Sequence, residues 1–212
     1  MKFGIDRLLE DASLRAALKG KRVALVAHPA SVTRDLTHSL DALMALDDVN
    51  ISAAFGPQHG MKGDKQDNMV ESRDYTDPAH GIPVFSLYGD QRRPTGQMMS
   101  TFDVVLIDLQ DLGCRIYTFI TTLLYMIEAC AADGKEVWVL DRPNPAGRPV
   151  EGLTLRRGWE SFVGAGRFRC GTALRLANSV IGSSSTTNST SGIVSLRWKV
   201  IGPTTRPVTA GR

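Results

Sequence analysis

The fold of this 212-residue chain is decided by the stretch Asp103-Val104-Val105-Leu106-Ile107-Asp108-Leu109-Gln110-Asp111-Leu112-Gly113. Its centre is apolar and mostly β-branched, which is typical of a parallel strand buried on both faces. The polar residues and glycine that follow end the strand and begin a loop. Because ligands of open α/β folds bind beside the carboxyl ends of the strands, this stretch also indicates where a site would lie.

Similar apolar runs recur on both sides of this strand, and segments with helical spacing separate them. We predict strands at residues 21–27, 50–55, 83–88, 103–109 and 136–141, and helices at residues 5–18, 34–47, 95–100 and 116–133. This alternation predicts an α/β fold, a Rossmann-like three-layer sandwich with a mainly parallel sheet.

Each predicted strand ends in polar or ring-bearing residues mixed with Gly or Pro, more often than loop composition alone would supply. The candidates for substrate binding at these ends are His28, Gln58, Tyr88, Gln110, Arg115, Tyr117, Asp141, Arg142 and Asn144. Arg115 and Arg142 carry planar guanidinium groups suited to bidentate contacts with an anion. A simpler alternative is that Asp108 and Asp141 only cap loops at the strand ends.

Motifs for nucleotide cofactors are missing from the sequence. The first strand–helix turn, His28-Pro29-Ala30-Ser31, has no Gly-x-Gly-x-x-Gly pattern, and neither a P-loop nor a Gly-x-Ser-x-Gly nucleophile elbow occurs elsewhere. A metal site would have to combine His28, His59, Asp108 and Asp111, which lack a recognised ligand spacing. We therefore expect neither a cofactor nor a metal ion.

The predicted cleft is rich in carboxylates. These are Asp64, Asp67, Glu71, Asp108, Asp111, Asp141 and Glu151. Cleavage of a glycosidic bond generally takes a proton donor and a second group that acts as base or nucleophile, and two carboxyl groups about 5 to 9.5 Å apart are the usual pair. A carbohydrate that itself carries a carboxylate would suit both these acids and the two arginines.

Five motifs follow the predicted strands in a fixed order. They are Gly-Pro-Gln-His-Gly at 56–60, Val-Phe-Ser-Leu-Tyr-Gly at 84–89, Asp-Leu-Gln-Asp-Leu-Gly at 108–113, Leu-Asp-Arg-Pro-Asn-Pro at 140–145 and Val-Glu-Gly at 150–152. In order and spacing they resemble the exo-β-N-acetylmuramidase (NamZ-like) glycosidases, over about residues 4–166. The resemblance implies a Rossmann-like amino-terminal domain, a smaller carboxyl-terminal domain and an active site between them. It also implies release of N-acetylmuramic acid from the non-reducing end of peptidoglycan fragments, in cell-wall turnover and recycling.

One residue departs from many members of that family, which carry Glu at the position of Gln58. An amide cannot donate a proton as a carboxylic acid does. Other members carry Gln there together with an acid in the following loop, at the position of Glu71. The resemblance therefore implies Glu71 and Glu151 as the catalytic carboxyl pair, with His59 and Asp111 as second choices.

Residues 167–212 differ from the rest of the chain in charge. They hold seven of the 25 basic residues and none of the 22 acidic ones, so their net charge is +7 and that of residues 1–166 is −4. Because this tail lacks acids and is rich in Ser and Thr, we expect it to be disordered. We predict a domain at residues 1–166 and an aberrant tail at 167–212 that replaces the second domain. The basic charge of the tail could indicate a nucleic-acid partner. We do not expect one, because the tail lacks the repeated interleaving of aromatic and basic residues that is typical of nucleic-acid binding.

A change of reading frame would explain the tail. Family members continue, after a segment like Ser161-Phe162-Val163-Gly164, with a stretch resembling Pro-Met-Arg-His-Gly-x-x-x-Gly-Glu-Leu. One encoding of residues 169–179, read one nucleotide earlier, gives Pro-Met-Arg-His-Gly-Thr-Ser-Leu-Gly-Glu-Leu, and residues 202–212 yield a second family-like segment, with Pro-Gly-Tyr-Gly-Trp-Pro, at the same offset. The sequence therefore predicts a frameshift after about residue 166 and a truncated second domain.

Two functions follow from these patterns. The first is an exo-acting muramidase, whose activity in a truncated form the sequence leaves open; the alternative is a non-catalytic α/β module that binds muropeptides or acidic sugars. The expected partner is a peptidoglycan-derived sugar, with no nucleic acid and no membrane, and the oligomeric state stays open. Without a signal-peptide core or a long apolar run, the chain as written is expected in the cytoplasm, or in the periplasm or outside the cell if its true start lies upstream.

Overall fold

The computed structural model of the chain describes residues 2–63, 71, 73–114, 116–145, 151–165, 169–171 and 198–201. Its strands are β1 (Arg22–Ala27), β2 (Asn50–Gly56), β3 (Tyr75–Thr76), β4 (Pro83–Ser86), β5 (Val104–Asp108), β6 (Glu136–Leu140), β7 (Glu151–Thr154), β8 (Arg169–Gly171) and β9 (Trp198–Ile201). Its helices are α1 (Gly4–Glu10), α2 (Ala12–Ala16), α3 (Ser39–Met44), α4 (Gly96–Met99) and α5 (Phe119–Ala132).

The main sheet has seven strands in the order β3-β4-β2-β1-β5-β6-β9. All neighbouring pairs are parallel except β3 and β4, which are antiparallel. The central position of β1 and β5 explains their nearly continuous apolar sequences, because every residue of β5 and five of the six in β1 are buried. The prediction of an α/β fold with a mainly parallel sheet is confirmed.

Helices cover both faces of this sheet. On one face Val26 and Ile107 pack with Leu123 of α5 in a core that α4 also joins. On the other face Leu25 and Leu106 pack in a core with α1 and α3. Successive strand residues thus contribute to opposite cores, as the two-residue period of a strand requires. None of the helices in the described ranges is long and apolar enough to cross a membrane.

Several predicted helices are shorter in the structure because polar side chains cap them. The helix expected at residues 5–18 is interrupted at Asp11, whose carboxylate accepts the N–H groups of Ser13 and Leu14 and starts α2. The helix expected at residues 34–47 begins only at Ser39, because His38 accepts the N–H of Leu40 through its Nδ1 at 3.2 Å. Residues 31–38 therefore belong to the loop at the carboxyl end of β1.

Part of the tail joins the sheet. β9 lies beside β6 in parallel register, with Leu140 opposite Ile201. The N–H of Asp141 donates to the carbonyl oxygen of Ile201 at 3.0 Å, and the N–H of Gly4 donates to the carbonyl oxygen of Asp141 at 3.1 Å. The backbone of these four tail residues is therefore hydrogen-bonded to the sheet, and the disorder expected of the tail stays a prediction. Residues 172–197 and 202–212 lie outside the described residues, and the domain boundary at residue 166 stays a prediction.

Candidate active site

The parallel strands bring their carboxyl ends to one edge of the sheet. The loops that follow β1, β2, β5 and β6 carry His28, Gln58, Asp111 and Asp141, respectively, and Tyr88 follows β4. This edge is where an open α/β sheet binds its ligands. The structure thus groups along one edge candidates that stand as far as 113 positions apart in the sequence.

A buried ion pair lies under this edge. Asp108, at the end of β5, is fully buried, and it receives the Nε and Nη2 groups of Arg142 at 2.6 and 2.9 Å. Arg142 also donates to the carbonyl oxygen of Val32 at 2.7 Å, and the hydroxyl of Ser39 donates to the Asp108 carboxylate. The pair therefore ties the ends of β5 and β6 to the loop after β1.

The burial of Arg142 bears on its predicted role in binding a substrate anion. Only 3% of its side chain is exposed, and its guanidinium lies 5.0 Å from the ring centroid of Phe3. The contact with Asp108 is observed, whereas a contact with a substrate anion stays a prediction. The sequence could not separate these roles, because a bidentate arginine serves a protein carboxylate and a ligand carboxylate equally well.

A small cavity at this edge is lined by His28, Pro29, His59 and Gly63, and we call it the histidine pocket. Its volume is about 300 Å³. His59 adopts a left-handed backbone with φ of 72°, and Gly63 does so with φ of 67°. A left-handed conformation is costly for a residue with a side chain and recurs at functional sites. The strained loop after β2 therefore forms one wall of the pocket.

His28 also lines the histidine pocket and is held on two sides. Its Nδ1 accepts the N–H of Ala30 at 3.1 Å, and its ring meets Phe119 edge-on with centroids 4.7 Å apart. Burial is the largest cause that lowers the pKa of His28, to about 4, and the charges of His59, His38 and Arg142 act in the same direction. The imidazole is therefore neutral at physiological pH.

Phe119 connects two parts of the site. The ring of Tyr117 meets it at 4.7 Å from the side of the β5–α5 loop, just as the ring of His28 does from the end of β1. Burial and the charge of Asp111 raise the pKa of the Tyr117 hydroxyl, so Tyr117 is a neutral donor near that carboxyl group. Phe119 is absent from the candidates predicted from sequence, because an aromatic residue at the start of a helix gives no signal distinct from core packing.

Asp111 is a buried acid with an altered pKa. Only 8% of the residue is exposed, and burial raises its pKa from 3.8 to about 6. The N–H groups of Gly113 and Leu112 oppose this shift, and the first donates to Oδ1 at 2.7 Å. Asp111 therefore carries a proton in a large fraction of molecules at mildly acidic pH.

Two amide side chains order the loops around Asp111. The Oε1 of Gln58 accepts the hydroxyl of Thr118 at 2.8 Å, which leaves the NH₂ of this amide as its donor group. The Nε2 of Gln110 donates to the carbonyl oxygens of Asp111 and Pro143, each at 3.0 Å. Gln110 thus fastens the end of β5 to the end of β6, a structural contact that strand-end position alone does not reveal.

The remaining candidates occupy different places. Glu71 is exposed and lines a separate groove of about 500 Å³ beside the end of β4, together with Arg73 and Gly89. Tyr88 is buried, with its ring 5.8 Å from that of Phe162. Asn144 is half-buried after β6. Glu151 begins β7, and only its backbone is described; Arg115, Asp64 and Asp67 lie outside the described residues.

Within the described ranges, no three His, Cys, Asp or Glu side chains are grouped so that they could hold a metal ion. Near Asp111, whose pKa is raised, the structure instead places the Tyr117 hydroxyl, and the side chain of Gln110 donates to the backbone carbonyl of Asp111. Such an arrangement is suited to bind an uncharged polar molecule and to transfer a proton to it.

Comparisons with known proteins give a consistent result. A family model described as "Exo-beta-N-acetylmuramidase NamZ, N-terminal" matches residues 23–194. Over 165 residues the chain is 44% identical to "Peptidoglycan beta-N-acetylmuramidase NamZ" of Bacillus subtilis (strain 168), an alignment that covers 77% of this chain and 39% of that protein.

Two solved structures of DUF1343 family proteins from Bacteroides fragilis NCTC 9343 are also similar. One has a TM-score of 0.82 at 35% identity and covers 94% of this chain and 49% of that one. The other has a TM-score of 0.77 at 26% identity and covers 95% of this chain and 51% of that one. The chain therefore spans about half of these structures and less than half of the Bacillus protein.

Proposed function

The chain belongs to the NamZ exo-β-N-acetylmuramidase family, and from this premise we propose that it carries the substrate cleft of a glycosidase that releases N-acetylmuramic acid from the non-reducing end of peptidoglycan fragments. The Bacillus subtilis relative is named a peptidoglycan β-N-acetylmuramidase, and this name supports the proposed substrate. Since the chain spans 39% of that protein, activity of these 212 residues alone is part of the proposal.

The observation that carries the proposal is the state of Asp111. A glycosidase needs a carboxyl group that still holds a proton near neutral pH, so that it can protonate the leaving oxygen. Burial raises the pKa of Asp111 from 3.8 to about 6. Asp111 is therefore our first choice as general acid, ahead of its rank in the sequence prediction.

A second carboxyl group must act as base or nucleophile on the opposite side of the sugar ring. Glu71 and Glu151 stay our proposals for this role. Glu71 lies in the groove beside the end of β4, and Glu151 is the first residue of β7. Tyr117, which interacts with Asp111, and His28 and Gln58 at the same edge of the sheet would bind the sugar through their O–H and N–H groups.

A non-catalytic sugar-binding module is the second candidate. The observation that favours it is Gln58, whose amide occupies the strand-end position next to Thr118 and cannot transfer a proton. Under this alternative the same cleft would hold an N-acetylated acidic sugar without cleaving it. Both candidate functions predict that the cleft binds the sugar, but only the glycosidase would cleave it.

Turnover of a chromogenic β-glycoside of N-acetylmuramic acid tests the first candidate. We expect Asp111→Asn to lower kcat by at least about a hundredfold, as loss of a general acid does, while Asp47→Asn, an exposed acid outside the cleft, retains the activity. Glu71→Gln and Glu151→Gln identify the second carboxyl group. If calorimetry shows saturable binding of the sugar without turnover, the binding module is the correct function and the glycosidase is not. Full activity in Asp111→Asn would overturn the role of Asp111 as general acid.

A further inference from the structure

We propose that His28 is a neutral hydrogen-bond donor whose Nε2–H binds the acetamido carbonyl oxygen of an N-acetylated sugar in the histidine pocket. The inference rests on the proposed function for the identity of the sugar. It goes beyond that function by assigning one chemical group of the ligand to one atom of the protein.

The hydrogen bond from Ala30 fixes the tautomer of His28. A backbone N–H that donates to Nδ1 at 3.1 Å needs a lone pair there, so the ring proton lies on Nε2. The edge-on contact with Phe119, at an interplanar angle of 70°, holds the ring in this orientation. Nε2–H has no protein acceptor among the described residues and is the polar group that His28 offers to the pocket.

The surroundings keep the ring uncharged. The titratable and charged groups that act on it come from three elements: His59 after β2, His38 before α3 and Arg142 after β6. Each of them disfavours a second proton on His28, and burial acts most strongly in the same sense. His38 reinforces the arrangement, since its Nε2 lies 3.2 Å from the carbonyl oxygen of His28 and its Nδ1 is already an acceptor for Leu40.

The pocket lining selects an uncharged ligand group. Besides the two histidines it consists of Pro29 and Gly63, and no lysine or arginine is among the lining residues that the structure describes. A carboxylate in such a place would find no lining cation to compensate its loss of water, because Arg142, whose charge acts on His28, is already paired with Asp108. An acetamido group offers one neutral acceptor oxygen and a methyl group that fits against the proline ring. The geometry therefore favours the acetamido group of N-acetylmuramic acid over its lactyl carboxylate.

Binding of two matched glycosides tests the proposal. The methyl β-glycoside of N-acetylmuramic acid carries the acetamido group, and the methyl β-glycoside of 3-O-lactylglucose carries a hydroxyl in its place. By calorimetry we expect the full chain to prefer the first by about tenfold, as for one well-placed hydrogen bond. His28→Leu should lose most of this preference, His28→Gln should retain part of it through its own N–H donor, and His80→Gln, whose ring pairs with Asp41, should leave it unchanged.

A measurement on the unaltered protein guards against misfolded variants. Ring ¹⁵N spectra should show His28 with its proton on Nε2 from pH 5 to 8, and saturation with the first glycoside should shift the Nε2 resonance without adding a proton. An unchanged preference in folded His28→Leu, an Nδ1–H tautomer, or protonation of His28 upon binding would each overturn the proposal. Glycoside turnover with equal binding of both sugars removes this inference alone, and selective binding without turnover removes only the enzymatic function.

Discussion

Asp111 shows how burial alters a single side chain. Its pKa is about 6 in the folded protein and 3.8 for an unburied aspartate. Well below pH 3.8 both the folded and the unfolded chain hold this proton. As the pH rises toward 6 and beyond, the unfolded chain releases the proton first, so the free energy of unfolding falls. Two pKa units correspond to at most about 3 kcal/mol.

Asp111→Asn should abolish this pH dependence, since an amide keeps the acceptor for Gly113 and does not ionise. We expect the stability of the variant relative to the unaltered protein to rise by up to about 3 kcal/mol between pH 3.5 and pH 7. Urea unfolding at the two pH values measures it. Asp47→Asn, at an exposed site, serves as the control, and a pH-independent difference for Asp111→Asn would contradict the prediction.

Gly63 and Gly81 form a matched pair of left-handed glycines, with φ of 67° and 69°. A Cβ on Gly63 would lie 2.7 Å from Cγ of Pro29 across the histidine pocket, whereas a Cβ on Gly81 would meet nothing within 4 Å. Each alanine costs about 1 to 2 kcal/mol of stability through its backbone conformation. Only Gly63→Ala should also weaken calorimetric binding of the methyl β-glycoside of N-acetylmuramic acid, and equal affinities for the two variants would contradict the pocket assignment.

Between secondary-structure elements, two bidentate arginine–aspartate pairs show how burial changes the contribution of an ion pair to stability. The pair of Arg142 and Asp108 joins the ends of β5 and β6 and is almost fully buried, whereas the pair of Arg22 and Asp103 is about half exposed. Arg142→Met leaves a buried carboxylate uncompensated and should cost about 3 to 5 kcal/mol. Arg22→Met should cost less than about 1 kcal/mol. Urea unfolding of the two variants checks the prediction, and similar losses would show that burial does not separate the pairs.

The start of α1 packs against backbone at the end of β6. A Cβ on Gly4 would lie 2.4 Å from the carbonyl oxygen of Ile201 in β9 and 2.6 Å from the nitrogen of Asp141. Because backbone atoms cannot move aside, Gly4→Ala should cost about 1 to 3 kcal/mol.

Gly96→Ala, at the first turn of α4, meets nothing within 4 Å and should change the stability by less than about 1 kcal/mol. Thermal and urea unfolding of the pair test whether the start of α1 packs on the backbone at the ends of β6 and β9. An unaltered stability of Gly4→Ala would contradict this packing.

At the scale of the whole molecule, the chain holds about half of the length of the solved structures that it resembles. Its family match continues to residue 194, beyond the boundary predicted at residue 166. We expect the gene to show a frame change near the codons for residues 160–170. Sequencing that region, with mass spectrometry of the mature protein, tests this prediction. One unbroken frame through the present tail would contradict it.

The fold was predictable from the sequence where burial alone dictates residue type. β1 and β5 read as apolar runs because both of their faces are covered, and their loops read as polar because they lie at the exposed edge. The ends of the helices were less predictable, because side chains such as Asp11 and His38 compete locally for backbone N–H groups.

Hydrophobic pattern and motif order were enough to predict the mainly parallel α/β fold and the family, and they also indicated the strand ends that carry the candidate site. The partners and environments of the individual polar groups became apparent only in the folded structure. There Arg142 pairs with Asp108, burial raises the pKa of Asp111, and the hydrogen bond from Ala30 places the proton of His28 on Nε2. The physical reason is that pKa, tautomer and hydrogen-bond partner depend on distances and burial between residues far apart in the chain, which no local pattern encodes.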